Sequence, residues 1–291
     1  MPLLDALLNG LTLGGMYALI AMGLSLQYGV ARIMNLAYGQ LLVASAFAAF
    51  WLFSSHGLSP LLSLWLLPPL GFACNWLIYR LLFMPLVRRA RSRSALEVDS
   101  ILASFGLLFV IEGLVLAIFG GNYFNYAYLS QVLVVLGTPL ALNRLLALGF
   151  ALLLGGLLYV FLHRSRHGTA LRAVSVSPAS ARLVAIDVHA ASALAFALGG
   201  AMVCASGVLV SMFLTFNVAM GAVFTMKALI VVIMGGVGSL AGCLVAGLVL
   251  GVAESLVATF VAPGLTLAAS FALFLGLLVL RPRGLFRGAA A

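Results

Sequence analysis

Three charged residues lie inside long apolar runs: Glu112 in "LLFVIEGLVL", Lys227 in "FTMKAL" and Glu254 in "LGVAESLV". A charge in a hydrocarbon setting costs several kcal/mol unless it is paired or wetted, so each must face protein or water. Two chemistries fit. The three line a path for a zwitterion, whose carboxylate and ammonium both need temporary partners. Alternatively they brace a helical bundle, with Lys227 snorkelling to an interface and the glutamates hydrogen-bonding between helices. Two polar interruptions belong with them: "MNLAYGQ", which holds Asn35, Tyr38 and Gln40, and "GGVGS", which holds Gly235, Gly236, Gly238 and Ser239. Irregular backbone at membrane depth survives only where it is buried in protein or lines a wet cavity. Both breaks are therefore candidate transport elements.

Other chemistries find no residues to carry them. A phosphate-cradling loop needs glycines followed by Lys and Ser or Thr, and the single lysine, Lys227, sits in an apolar run without those glycines. This chain is not expected to bind ATP by that route. His163 and His167 have i,i+4 spacing, yet no third ligand or carboxylate lies nearby in sequence, so they read as interfacial histidines and no metal site is assigned. "GVGSLAG" superficially resembles a nucleophile motif but lacks the strand-turn-helix setting of a hydrolase elbow, so no catalytic residue is assigned. Cys74, Cys204 and Cys243 are an odd number of thiols inside apolar runs and read as packing residues.

One stretch is unlike the rest. "RAVSVSPASARLVAID" is polar, carries Arg172 and Arg182, and interrupts an otherwise apolar chain. Ser177-Pro178 is a helix start, with a hydroxyl cap and a proline at the first helical position, and a helix of about two turns is expected from Ala179 to Ile186. Leu183, Val184 and Ile186 would give it a small apolar patch. By composition it is either a solvated connector or a docking knob for a soluble partner.

These residues must be positioned by membrane helices. The chain has 291 residues, of which 65% are hydrophobic and 7% charged, with a mean hydropathy of +1.25. That leaves too little polar surface to cover a water-soluble globule. The expectation is an all-α, polytopic transmembrane bundle forming one domain over residues 1–291, with about seven to nine spans, some of them broken or re-entrant. Apolar stretches are read at about 5–29, 36–54, 59–83, 99–119, 144–162, 189–211 and 264–280, while the intervening 219–259 crosses twice or not at all. The first stretch has Asp5 and no basic residues ahead of it, and reads as a retained span rather than a signal peptide.

The net charge of +9 could suggest nucleic acid, but the basic residues follow a membrane pattern instead. Arg80, Arg88, Arg89, Arg91 and Arg93 form one group, Arg164, Arg166, Arg172 and Arg182 a second, and Arg281, Arg283 and Arg287 a third. Arginine-rich short loops stay cytoplasmic, so three points, including the C-terminus, are expected on that face.

"RAVSVSPASARLVAIDV" resembles the cytoplasmic coupling loop of ABC importer permeases of the branched-chain amino acid family. The likeness extends to "NGLTLGGMYALIAMGLSLQYGVARIMNLAYGQ", which resembles that family's N-terminal block. "MKALIVVIMGGVGSLAGCLVAGLVLGVAES" resembles its Gly-rich block and "RPRGLF" its terminal signature. Four positions depart from the pattern. Tyr38 and Gln40 stand where His and an acidic residue are usual, Ala179 stands where Glu is frequent, and Ala185 replaces a glycine.

The resemblance implies a permease subunit of the bacterial inner membrane that moves branched-chain or other hydrophobic amino acids inward. Its coupling loop, about 164–188, would insert into a groove of a separate ATP-binding subunit, which would hold the ATP and Mg. Arg172, Ser177, Pro178, Arg182, Leu183, Ile186 and Asp187 are the residues expected at that contact. A sister permease, as a homo- or heterodimer, and an extracytoplasmic substrate-binding protein complete the implied partners. Urea or short amides are an alternative cargo. A stand-alone carrier or channel, using Glu112, Glu254 and Lys227 as coupling or filter residues, is the rival class.

Overall fold

The computed structural model describes residues 2–90, 92–126, 128–135, 137–281 and 284–286. Arg91, Arg283 and Arg287 of the basic groups, and Pro282 of the terminal signature, lie outside the described residues. The helices in chain order are α1 (Pro2–Ala31), α2 (Tyr38–His56), α3 (Pro60–Ile78), α4 (Met84–Arg89), α5 (Arg93–Phe119), α6 (Leu142–Arg164), α7 (Arg166–Val176), α8 (Pro178–Leu183), α9 (Val188–Ser211), α10 (Met220–Gly235), α11 (Leu240–Phe260) and α12 (Thr266–Leu280). A π-helical turn, Tyr79–Phe83, joins α3 to α4 so that Pro60–Arg89 forms one long helical rod, and Pro68 and Pro69 sit inside it.

Among the described residues, eight helices are long and apolar enough to cross a membrane. The region 219–259, left open by hydropathy, resolves into α10 and α11, which fold back on one another through the glycine turn. With 16 residues, α10 is about 24 Å long and falls short of a full hydrocarbon thickness.

Between apolar helices in lipid there is no hydrophobic drive, so close approach of small residues must supply the attraction. Helix α1 lies antiparallel along α11, with Gly10 and Gly14 facing Gly247 and Gly251. A Cβ added at Gly251 would stand 2.3 Å from the Gly14 nitrogen. Buried along most of its length, α9 runs through the centre against α1, α2 and α3. Helices α5 and α12 lie outermost and present Leu102, Phe109, Ile118 and Val279 outward, as lipid-facing helices do.

Residues 120–141 carry an addition that hydropathy did not foresee, a β-hairpin of β1 (Val132–Val135) and β2 (Thr138–Ala141), paired antiparallel. Phe124 also pairs with Phe216 in backbone hydrogen bonds, and the phenol of Tyr126 shares a 2.7 Å hydrogen bond with the Ser211 hydroxyl. Burial pushes that phenol up to about 12. The segment thereby closes over the ends of α2 and α9, opposite the face that carries Arg88, Arg89, Arg164, Arg166, Arg172 and Arg182.

Candidate functional site

The first break follows from how α1 stops. Arg32 takes φ +57° immediately after Ala31, and its N–H bonds to the Tyr28 carbonyl at 3.0 Å, the usual left-handed helix stop. Residues 32–37 then run back alongside α1, so α2 starts level with the middle of the bundle. Every exposed peptide group along this turn-back must find a partner there. Ser104 donates to the Met34 carbonyl at 3.2 Å and Thr225 to the Leu36 carbonyl at 3.2 Å, while the Asn35 side chain accepts from Ala37 N–H at 3.2 Å.

Side chains fix the break further. The Asn35 amide donates to the Gln27 oxygen at 3.4 Å, and Gln27 donates to the Phe196 carbonyl at 3.1 Å. The Tyr38 hydroxyl donates to the Gly199 carbonyl at 2.9 Å, and both Tyr38 and Gln40 are fully buried. Gly39 meets the first turn of α10, where a Cβ would stand 2.0 Å from the Gly221 carbonyl oxygen, so only glycine allows this crossing. Thr225 closes it by accepting from Gly39 N–H at 2.9 Å.

Glu112 reaches this crossing from α5 and accepts from the Gln40 amide at 3.1 Å. The two other intramembrane charges lie elsewhere. Lys227 forms a 2.8 Å ion pair with Glu254 and also donates to the Tyr17 hydroxyl at 2.8 Å. Tyr17 in turn donates to Glu254 at 2.8 Å, and the Ser270 hydroxyl donates to the other carboxylate oxygen. Four helices, α1, α10, α11 and α12, are thus tied at one ion pair. Thr225 and Lys227 are two residues apart on α10, about 200° around the helix, which separates the Gln40–Glu112 contact from the Lys227–Glu254 cluster. The ion pair, Asn9 and Arg144 border a cavity of about 420 Å³ on the side away from the arginine-rich face.

The second break is a tight turn rather than a helix interruption. Gly236 and Gly238 take φ of +94° and +82°, and Gly238 N–H donates to the Ser25 hydroxyl at 3.0 Å. Ser239 caps α11 by accepting from Gly242 N–H at 3.0 Å. A Cβ at Gly235 would stand 2.5 Å from the Gly242 carbonyl carbon, which explains a glycine there. Gly238, Ser239, Arg172, His163 and Ser25 line one cavity of about 360 Å³, so this turn and the arginine segment meet. The arginine-rich face also holds a second cavity, of about 450 Å³, lined by Ser177, Pro178, Arg182 and Arg32.

The polar segment folds as α7, a bend, and α8. Ser177 caps α8 by accepting from Ser180 N–H at 3.2 Å, with Pro178 first in the helix. The helix stops at Leu183, a turn earlier than the expected Ile186, because Ala185 flips to φ +59°. Ile186 N–H bonds back to Ala181 and Ala185 N–H to Arg182, both at 3.1 Å. Glycine suits that conformation best, so an alanine there carries backbone strain. Leu183 is 88% exposed and Val184 68%, with Arg182 exposed beside them, while Ile186 turns toward the core. Asp187 begins α9 by accepting from His189 and Ala190 N–H. The Ala190 bond, followed by that of His189, holds its carboxyl below the ordinary range.

Tyr17, Gln27, Ser270, Thr225 and Arg32 carry these contacts and were not singled out in the sequence. Their only local signal was a polar or charged group inside a largely apolar run.

Comparison with known proteins places this architecture. Residues 6–283 match the family model described as branched-chain amino acid transport system / permease component. The high-affinity branched-chain amino acid transport system permease protein LivH of Salmonella typhimurium is 27% identical over 297 residues, covering 97% of this chain and 94% of that protein. BraD of Pseudomonas aeruginosa, with the same description, is 27% identical over 310 residues, covering 97% and 95%. A probable branched-chain amino acid transport permease protein LivH of Methanocaldococcus jannaschii is 27% identical over 247 residues, covering 84% and 78%. Matched across nearly all its helices, the chain belongs to the permease-component family of branched-chain amino acid transport systems.

Proposed function

We propose that this chain is the membrane-spanning subunit of an ABC importer that carries branched-chain and other hydrophobic amino acids into a bacterial cell. The observation that carries the reading is α8. Leu183, Val184 and Arg182 project from the arginine-rich face, and an apolar pair this exposed beside a cation fits a protein groove better than water. The arginine-rich face, with the C-terminus, is the cytoplasmic one.

A separate ATP-binding subunit docks on α7 and α8 and holds the ATP and Mg. A sister permease and an extracytoplasmic binding protein complete the assembly in the inner membrane, and selectivity resides mainly in the binding protein. Movement of α7 and α8 reaches the bundle beside two cavities, one lined by α7 and the Gly238–Ser239 turn and the other by α8 and the end of α1. The breaks holding Asn35, Tyr38 and Gln40, and Gly235, Gly236, Gly238 and Ser239, are the parts that rearrange. Lys227 and Glu254 brace four helices beside the outer cavity, and Glu112 steadies Gln40 at the crossing of α2 and α10.

Co-purification of the detergent-solubilised chain with candidate ATP-binding subunits tests the reading. Wild type should retain the ATPase, and both Arg182→Glu and deletion of residues 177–186 should release it. Retention by both variants would make α8 a connector. Uptake of leucine into proteoliposomes by this chain alone, without ATP, would support the carrier class instead.

A further inference from the structure

Arg32 occupies the left-handed stop of α1, where glycine is the low-cost residue. What a side chain contributes there is visible in its far end. The Arg32 guanidinium, through Nη2, donates a 2.8 Å hydrogen bond to the Ser175 carbonyl in the last turn of α7. A cation belongs at that end of a helix, where carbonyls lack helical partners. The bond spans 143 positions in sequence and joins two segments that differ in kind. On one side is the polar hairpin of α7 and α8. On the other is the turn-back of residues 32–37, held to α5, α9 and α10 by the hydrogen bonds of Ser104, Gln27, Tyr38 and Thr225.

We propose that Arg32 is a positioning residue that makes the hairpin and the α1–α2 break move as one body. It acts through the Ser175 carbonyl and touches no substrate. Displacement of α7 pulls on the residue that sets where α1 stops, and so shifts the level at which Tyr38, Gly39 and Gln40 meet α10. The inference rests on α7 and α8 being the coupling element of the proposed importer. Its core is the mechanical tie, which the isolated chain also carries.

Arg32→Gly separates the two properties of the site, because glycine keeps the left-handed stop while removing the guanidinium. The variant is therefore expected to fold. Arg32→Lys keeps a cationic donor at the same backbone position. In nanodiscs without partners, hydrogen exchange of amides 33–40 and 172–187 should rise together by at least fivefold in Arg32→Gly and return toward wild type in Arg32→Lys. Unchanged or slower exchange in Arg32→Gly would overturn the tie.

In the assembled transporter, Arg32→Gly should lower leucine taken up per ATP hydrolysed by at least threefold at unchanged ATPase rate, with recovery in Arg32→Lys. An unchanged ratio would overturn the coupling role. If the wild-type assembly hydrolyses ATP without importing leucine, the importer reading fails, and the exchange result still decides the tie.

Discussion

Lys227 and Glu254 are both mostly buried, and each satisfies the other while Tyr17 and Ser270 fill the remaining bonding positions. Removing one charge leaves the other stranded. Lys227→Met is expected to cost about 3–5 kcal/mol, and Lys227→Met with Glu254→Met should recover a large part of it. Thermal unfolding in detergent, read as a double-mutant comparison, checks this. A double variant no more stable than the single one would mean that the pair does not act as a unit. Ala185 offers the opposite case. Its left-handed backbone costs an alanine about 1 kcal/mol relative to glycine, so Ala185→Gly should raise stability by up to that amount. A lower unfolding temperature for that variant would contradict the assignment of strain there.

At the scale of elements, what matters is how closely two helices approach and how each one begins. The α1–α11 contact depends on glycines at the crossing, whereas Gly113 on α5 and Gly276 on α12 have open space where a Cβ would go. Gly251→Leu should therefore lose at least about 1–3 kcal/mol by overpacking, while Gly113→Leu and Gly276→Leu stay near wild type. Size-exclusion profiles and melting in detergent separate these outcomes. Helix α9 starts on the Asp187 carboxylate, whose proton affinity is lowered by the N–H bonds of Ala190 and His189. A depressed carboxyl contributes stability above its unfolded value, near 3.8, and loses it as pH falls through the folded value. The Asp187→Ala difference, expected at about 1 kcal/mol near neutral pH and less in salt, should shrink as pH falls below about 4.

For the whole molecule, alternation of the helices places α8 and the β-hairpin segment on opposite faces. Leu183, 88% exposed, and Tyr123, 70% exposed, are suitable reporters. After replacement of Cys74, Cys204 and Cys243, none of which is in a disulfide, single cysteines at 183 and 123 should react with an impermeant maleimide from opposite sides of the membrane. Labelling of both from the same side would overturn this topology. The apolar outer surfaces of α5 and α12 match a hydrocarbon environment, and the break between α1 and α2 is largely buried, with Ser104 and Thr225 of other helices satisfying its Met34 and Leu36 carbonyls.

Much of this was legible in the residues alone, for local reasons. Length and hydropathy determine how many helices can span, and the start of α8 at Ser177-Pro178 needs only a cap and a proline. The arginine clusters mark one face, because charge cannot cross a hydrocarbon layer cheaply. Tertiary structure decided which polar groups meet. Whether Lys227 pairs with Glu254 or Glu112 depends on the rotation of α10 and on which helices surround it, and adjacent apolar faces in lipid leave almost no sequence trace of that rotation. The same holds for the mid-bundle start of α2, which depends on Thr225, Ser104 and Gln27 arriving from three other helices. Arg32 carries no sequence mark of its role, because its partner is a backbone carbonyl, a group that every residue carries and that only folding brings within reach.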